Sequence, residues 1–200
     1  MKVLVACEES QAVCIAFRAR GHEAYSCDLQ LCSGGHPEWH IQADALELLK
    51  LRWDLIVAHP PCTYLSNVGA NWLFNKDHSI KDPERENKGW KAKQFFMAFL
   101  EADCPRIAVE NPVPSRYWRM PPYSQLIEPY MFGDPWRKRT CLWLRGLPLL
   151  MATDIVAPEG LWTGSSSSRK TKYKLSGHRD AKTRSKTFPG VARAMAEQWG

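Results

Sequence analysis

No stretch of this 200-residue chain holds enough consecutive apolar residues to cross a bilayer. No secretory signal is evident: Met1 to Ala6 is a short apolar run stopped at once by Cys7, Glu8 and Glu9, and it reads as a buried strand. The seven cysteines contain no Cys-x-x-Cys pair and their number is odd, which argues against a disulfide framework. They read as reduced thiols in a cytoplasmic protein, most of them packing residues. There is no internal repeat, and the only low-complexity piece is Ser165 to Ser168.

What is present is an ordinary globular mixture, 44% hydrophobic and 24% charged, at the length of one domain spanning residues 1–200. The formal net charge of +6 favours nucleic acid or another polyanion as partner. The excess is uneven: Arg169 to Lys186 carries eight basic residues against Asp180 alone. This stretch, within a basic insertion around residues 163–186, reads as a flexible, solvated loop that can also grip phosphates, with Lys170, Lys172 and Lys174 as candidates.

Apolar runs alternate with helical spacings along the chain. KVLVAC (Lys2 to Cys7) reads as a first strand, Ser10 to Ala19 as a helix stopped at Gly21, and EAYSC (Glu23 to Cys27) as a second strand ending at Asp28. Ala43 to Leu51 reads as a short helix and WDLIVAH (Trp53 to His59) as a buried strand broken by Pro60 and Pro61. Asn67 to Asn87 reads as irregular. Lys88 to Ala102 has the spacing of an amphipathic helix, RIAVE (Arg106 to Glu110) and TCLWL (Thr140 to Leu144) read as strands, and Val191 to Trp199 reads as a closing helix. The alternation predicts an α/β fold, a mostly parallel sheet with helices on both faces. Ligands bind such sheets beyond the carboxyl ends of the strands, where this sequence places Glu8, Asp28, Asp44, Cys62 and Glu110.

Two segments carry candidate chemistry. In DLIVAHPPCTYLS (Asp54 to Ser66) a buried strand delivers Cys62 directly after two prolines, which make the turn rigid. A thiol held there is a positioned nucleophile or a buried structural cysteine. In IAVENPVP (Ile107 to Pro114) Glu110 and Asn111 end another strand, as a proton-handling acid in a partly dry pocket or as a solvated strand end. A third group, Cys27, Cys32, His36 and His40, has the spacing of a small zinc site. Cys27 falls in a predicted buried strand, and Gly34, Gly35 and Pro37 suit a loop, so no metal is expected.

Together, the two turns resemble the DNA cytosine-C5 methyltransferase family, which places a Pro-Cys turn after one strand and a Glu-Asn turn after the next. Other pieces follow in the same order. VACEESQ (Val5 to Gln11) is similar to the family's first strand and cofactor loop, GDPWRKRTCLWL (Gly133 to Leu144) to its basic segment before a strand, and SKTFPGVARAMAEQW (Ser185 to Trp199) to its closing segment. The resemblance implies a Rossmann-like methyltransferase fold with S-adenosylmethionine as cofactor. Cofactor contacts are then expected from Ala6, Cys7, Glu8, Glu9, Ser10 and Pro60, with Asp28 on the ribose and Asp44 at the adenine. It makes Cys62 the nucleophile that attacks C6 of cytosine, Glu110 the group facing N3, and Arg137 and Arg139 the catalytic arginines. A base inside a duplex must be flipped or already single-stranded to be reached. The segment after Cys62, with Ser66 and Trp72, is the expected loop over the nucleic acid.

Two departures qualify this. The family's cofactor loop is glycine-rich, whereas Cys7 to Gln11 contains no glycine. Family members also carry a sizeable recognition region where this chain has only about Gly146 to Arg184. Weak sequence specificity, a single-stranded or nucleotide substrate, or a protein partner supplying recognition is expected. So compact a form suits a bacteriophage or mobile-element enzyme acting in the cytoplasm of a bacterial cell. Three other functions compete: transfer of a different group to C5, a catalytically silent nucleic-acid-binding module, and methylation of an amino nitrogen. The last needs an Asp/Asn-Pro-Pro-aromatic turn, which His59 to Cys62 does not supply.

Overall fold

A computed structural model describes residues 1–162, 174–176 and 180–200, with backbone only for Lys174 and Ala181. The chain runs β1 (Lys2–Ala6), α1 (Ala12–Ala19), β2 (Glu23–Asp28), β3 (His40–Gln42), α2 (Ala45–Leu48), β4 (Leu55–Ala58), α3 (Asn67–Ala70) and α4 (Pro83–Leu100). It continues through β5 (Ile107–Pro112), β6 (Gln125–Ile127), β7 (Trp136–Arg137), β8 (Thr140–Arg145), β9 (Gly160–Leu161), β10 (Lys174–Leu175), α5 (Ala181–Ser185) and α6 (Pro189–Trp199). Seven strands form one sheet in the order β3-β2-β1-β4-β5-β8-β6. All pairs are parallel except those that β8 makes with β5 and β6. A small parallel sheet of two-residue strands, β10-β9-β7, lies beside it.

The expected mostly parallel α/β architecture is what the chain adopts, and the strand order is that of a Rossmann-like fold. Its physical basis is the alternation of side chains along each strand. Val3, Val5, Leu55, Val57, Ala108 and Leu142 face one way and pack with α1 and α6. Leu4, Ala6, Ile56, Ala58, Ile107, Val109 and Trp143 face the other and pack with Phe96 and Phe99 of α4. Strands buried on both faces have no polar face, so they appear in sequence as continuous apolar runs.

Several elements differ from the sequence expectation. β3 and β6 were not anticipated, because each has three mostly half-buried residues and leaves no apolar run. α4 begins at Pro83 rather than Lys88: Asp82 caps it by accepting from Arg85 N at 2.9 Å, and Pro83 suits the first turn. The segment expected to be irregular therefore contains α3 and the start of α4. Part of the basic stretch expected to be a flexible loop is helical, as α5, with Asp180 accepting from Lys182 N and Thr183 N. Among the described residues no helix is long and apolar enough to cross a membrane.

One contact tests the packing of α4. Gly89 is buried in mid-helix, and a Cβ there would sit 2.0 Å from the Trp118 ring, itself fully buried. Gly89→Ala gains about 1 kcal/mol of helix propensity. Overpacking costs about 1–3 kcal/mol, so the expected outcome is a net loss of stability, read as a lowered urea midpoint.

Candidate active site

β1 and β4 are neighbours although β2 and β3 separate them in sequence, so the sheet changes direction between them. A crevice outside the carboxyl ends is expected at such a point. β1 ends there in Cys7, Glu8 and Glu9, β4 in His59, Pro60, Pro61 and Cys62, and β5 in Glu110 and Asn111.

The turn that bears Cys62 is tied to β5. Asn111 is buried, and its Nδ2 donates to the Pro60 carbonyl at 2.8 Å. Cys62 is half-buried. Burial, and then the negative charge of Glu110, push its thiol above the ordinary value, while Lys138 and Arg184 pull the other way. The Glu110 side chain is only 16% exposed and pairs with His59 Nδ1 at 3.3 Å. Burial acts to raise the Glu110 carboxyl, but the His59 bond and the charge of Lys138 outweigh it and hold the group below its usual value. Cys62 and Glu110 thus share one electrostatic environment.

The arginines expected in catalytic positions, Arg137 and Arg139, flank Lys138 just before β8. Arg137 pairs with Glu128 at 3.4 Å and lies over the Tyr130 ring. Arg139 is exposed. Lys138, which the sequence reading passed over, biases both Cys62 and Glu110 and lines a cavity with Glu110, Thr140 and Phe188. Successive residues of an extended chain point to opposite sides, so the residue between two arginines was the available signal.

At the end of β1 the two glutamates do different things. Glu8 is buried and turned inward, where its carboxylate accepts from Val13 N at 2.7 Å and Cys14 N at 3.2 Å. It therefore fills the N-terminus of α1, where orphan amides and the helix dipole favour an anion. Glu9 is also buried, and neither of its carboxylate oxygens has a hydrogen-bond partner among the described residues. Lys182 Nζ of α5 lies 3.7 Å from Glu9 Oε2. Ser10 is half-buried in the same loop, and Gly34 approaches it so closely that a Cβ at Gly34 would meet the Ser10 carbonyl at 2.6 Å.

The loop without glycine still makes the turn that glycine would permit. Cys7 and Gln11 both have φ 59°, a left-handed conformation that costs a non-glycine residue about 1 kcal/mol. Gln11 is held there by its bonds to Ser26 Oγ and to the His36 backbone. The Cys7 thiol is raised by burial and then by the charges of Asp28 and Asp44, so these three converge. Asp28 also accepts from Gln30 N, and Asp44 caps α2 by accepting from Leu46 N. Ala6, at the end of β1, is fully buried, and Pro60, after β4, is buried.

The residues expected on nucleic acid divide. Trp72 is 68% exposed on the segment after Cys62. Ser66 caps α3, its Oγ accepting from Gly69 N. Lys174 contributes backbone to β10, while Lys170 and Lys172 lie outside the described residues. Three of the four residues with zinc-like spacing are separately engaged, and Cys32 is a half-buried free thiol. Cys27 Sγ donates to the Ala43 carbonyl, His40 bonds Ser26 Oγ and the Gln30 carbonyl, and His36 stacks on Trp39. Among the described residues no three His, Cys, Asp or Glu side chains form a group able to hold a metal.

No protein-family model matches the sequence, and neither does any curated protein. Solved structures similar to the fold include an E. coli protein described as a prophage-encoded DNA modification methyltransferase. It is 12% identical with a TM-score of 0.47, over 78% of this chain and 52% of that one. The Entamoeba histolytica methyltransferase EhMeth is 13% identical with a TM-score of 0.47, over 78% of this chain and 57% of that one. The Dnmt2 methyltransferase of S. pombe is 10% identical with a TM-score of 0.43, over 74% of this chain and 51% of that one. The chain matches about half the length of each, and its fold assignment rests on its own strand order.

Proposed function

We propose that the protein is an S-adenosylmethionine-dependent transferase that methylates C5 of cytosine in DNA through a covalent bond from Cys62 to C6 of the base. The observation that carries this reading is the Asn111 to Pro60 bond, which ties the Cys62 turn to the strand bearing Glu110. A nucleophile and an acidic group are thereby held at one edge.

C5 of cytosine is a poor nucleophile. Addition of the Cys62 thiolate to C6 forms the Sγ–C6 bond and moves electron density to C5, while a hydrogen bond or proton at N3 stabilises the charge that develops. Glu110 faces that need. After transfer the C5 proton leaves to a base, the Sγ–C6 bond breaks and the thiolate is restored. Lys138 acts by charge, opposing the rise in the Cys62 thiol caused by burial and by Glu110.

Bound S-adenosylmethionine supplies the electrophilic methyl group. The residues present fit it: the Glu9 carboxylate, buried without a hydrogen-bond partner among the described residues, suits its ammonium, Lys182 its carboxylate, and Asp28 its ribose. Glu8 is assigned instead to the N-terminus of α1. That carboxylate occupies amides which would otherwise serve a ligand, and this favours a second reading in which Cys62 adds to the base but a different group is transferred. The substrate is DNA, single- or double-stranded, or a cytosine nucleotide. Trp72 and the basic stretch supply contact, and sequence recognition comes from a partner protein. The enzyme works in the cytoplasm of a bacterial or phage-infected cell.

The test is transfer of labelled methyl from S-adenosylmethionine to cytosine-containing DNA of both forms, with mass analysis of the nucleosides. Label at C5 that falls at least about 100-fold in Cys62→Ser is expected. Absence of transfer, or full activity in Cys62→Ser, refutes the methyl-transfer reading, and a different C5 adduct establishes the second. Thiol alkylation gives a separate check. Glu110 raises the Cys62 thiol, so Glu110→Gln lowers the pH at which Cys62 becomes reactive; Lys138 lowers it, so Lys138→Ala moves reactivity to higher pH. Iodoacetamide labelling against pH, with Cys62 followed by peptide mass, reads both directions.

A further inference from the structure

His59 has no part in the chemistry described so far, yet it pairs with one acid and acts by charge on a second. Ala58 of β4 pairs with Val109 of β5, so the next residues, His59 and Glu110, are neighbours across the sheet, and Glu8 lies just past the end of adjacent β1. The His59 side chain is 8% exposed. Its Nδ1 lies 3.3 Å from Glu110 Oε2, and its Nε2 is buried with no hydrogen-bond partner among the described residues. Its backbone is fixed by a bond from its N–H to the Ala6 carbonyl at 2.9 Å. Glu8, near enough to be biased by the His59 charge, is pinned by two amides of α1. A buried imidazole paired with one carboxylate, and with its other ring nitrogen unsatisfied among the described residues, is an expensive arrangement for packing alone.

The chemistry proposed for Glu110 lacks something that His59 has. A group that donates hydrogen to N3 must carry one, but the surroundings of Glu110 favour its carboxylate form. We propose that His59 is a positioning residue that stores the proton Glu110 delivers to the base. The proposal rests on the reading of Cys62 and Glu110 as a pyrimidine-activating pair. One proton is shared between His59 Nδ1 and Glu110 Oε2. As the Sγ–C6 bond forms, Glu110 passes that proton to N3 and His59 is left neutral. When the Sγ–C6 bond breaks, the proton returns from N3 to Glu110 and to Nδ1, so none is consumed. Glu8, within reach of the His59 charge, helps offset that of the protonated ring. The other charges at the pair are Lys138, acting on Glu110, and Arg184 of α5, acting on Cys62.

The decisive experiment needs no turnover. In the full chain, NMR of the histidine ring nitrogens is followed against pH in wild type, Glu110→Gln and Glu8→Gln, with His59→Asn identifying the His59 signals. The expected result is a hydrogen-bonded Nδ1 proton on the His59 ring, shifted downfield in wild type and Glu8→Gln and absent from that position in Glu110→Gln. A ring whose Nδ1 signals are the same in wild type and Glu110→Gln overturns the proposal. Kinetics supply the second arm, because Asn retains a donor for Glu110 but cannot yield a proton near neutral pH. His59→Asn is expected to lose about 100-fold in kcat with KM little changed, and the deficit narrows as pH falls and solvent protonates Glu110 directly. A His59→Asn enzyme with the wild-type rate and pH profile also overturns it. Wild-type protein that shows the ring coupling but leaves cytosine unmodified refutes the methyl-transfer reading and keeps the shared proton.

Discussion

Neighbouring parallel strands lie about 4.8 Å apart, and three central strands of this sheet, β1, β4 and β5, all end on the same side. Whatever residue follows each strand is therefore held within reach of the residues following its neighbours. The apolar interiors of the strands are buried on both faces, which fixes their register and leaves the ends no freedom to slide. His59 and Glu110 are neighbours because that register sets Ala58 opposite Val109. Cys62 joins them because two prolines stiffen its turn and Asn111 grips the Pro60 carbonyl.

Crowding ionisable groups at such an edge has an electrostatic cost, and the structure shows how it is distributed. Burial raises the Glu8 carboxyl, which two helix amides and the His59 charge partly offset. The Glu110 carboxyl falls below its usual value because His59 and Lys138 outweigh its burial. Cys62 is left with a raised thiol, held between a carboxylate that disfavours ionisation and two cations that favour it. A thiol in that balance is sensitive to whatever enters the crevice, and a bound substrate that neutralises Glu110 would release it. The proposed addition to C6 exploits this coupling.

The basic stretch contributes more than net charge. Its helical part, α5, brings Lys182 to Glu9 and Arg184 toward Cys62, while Lys186 reaches Ser33 Oγ at 3.3 Å. Charges that look like a diffuse phosphate-gripping tail in sequence are partly spent on the two sides of the crevice. The same segment is thus proposed to shape the cofactor end as well as the nucleic-acid end.

The sequence alone determined the α/β class, five of the seven strands of the central sheet and the residues at their carboxyl ends. These follow from apolar runs and proline stops, which are local signals. It also singled out Cys62 and Glu110, because each directly follows a recognisable strand. Short half-buried strands such as β3 and β6 left no such signal, and the start of α4 was hidden behind polar residues that serve as its cap. Only the tertiary structure decided which charged side chains face the crevice. Glu8 accepts from the first amides of α1, Arg137 pairs with Glu128, and Lys138 and His59, which carry no motif, meet Glu110. The physical reason is that a side chain's partners come from neighbouring strands far away in sequence, and local patterns do not encode that adjacency.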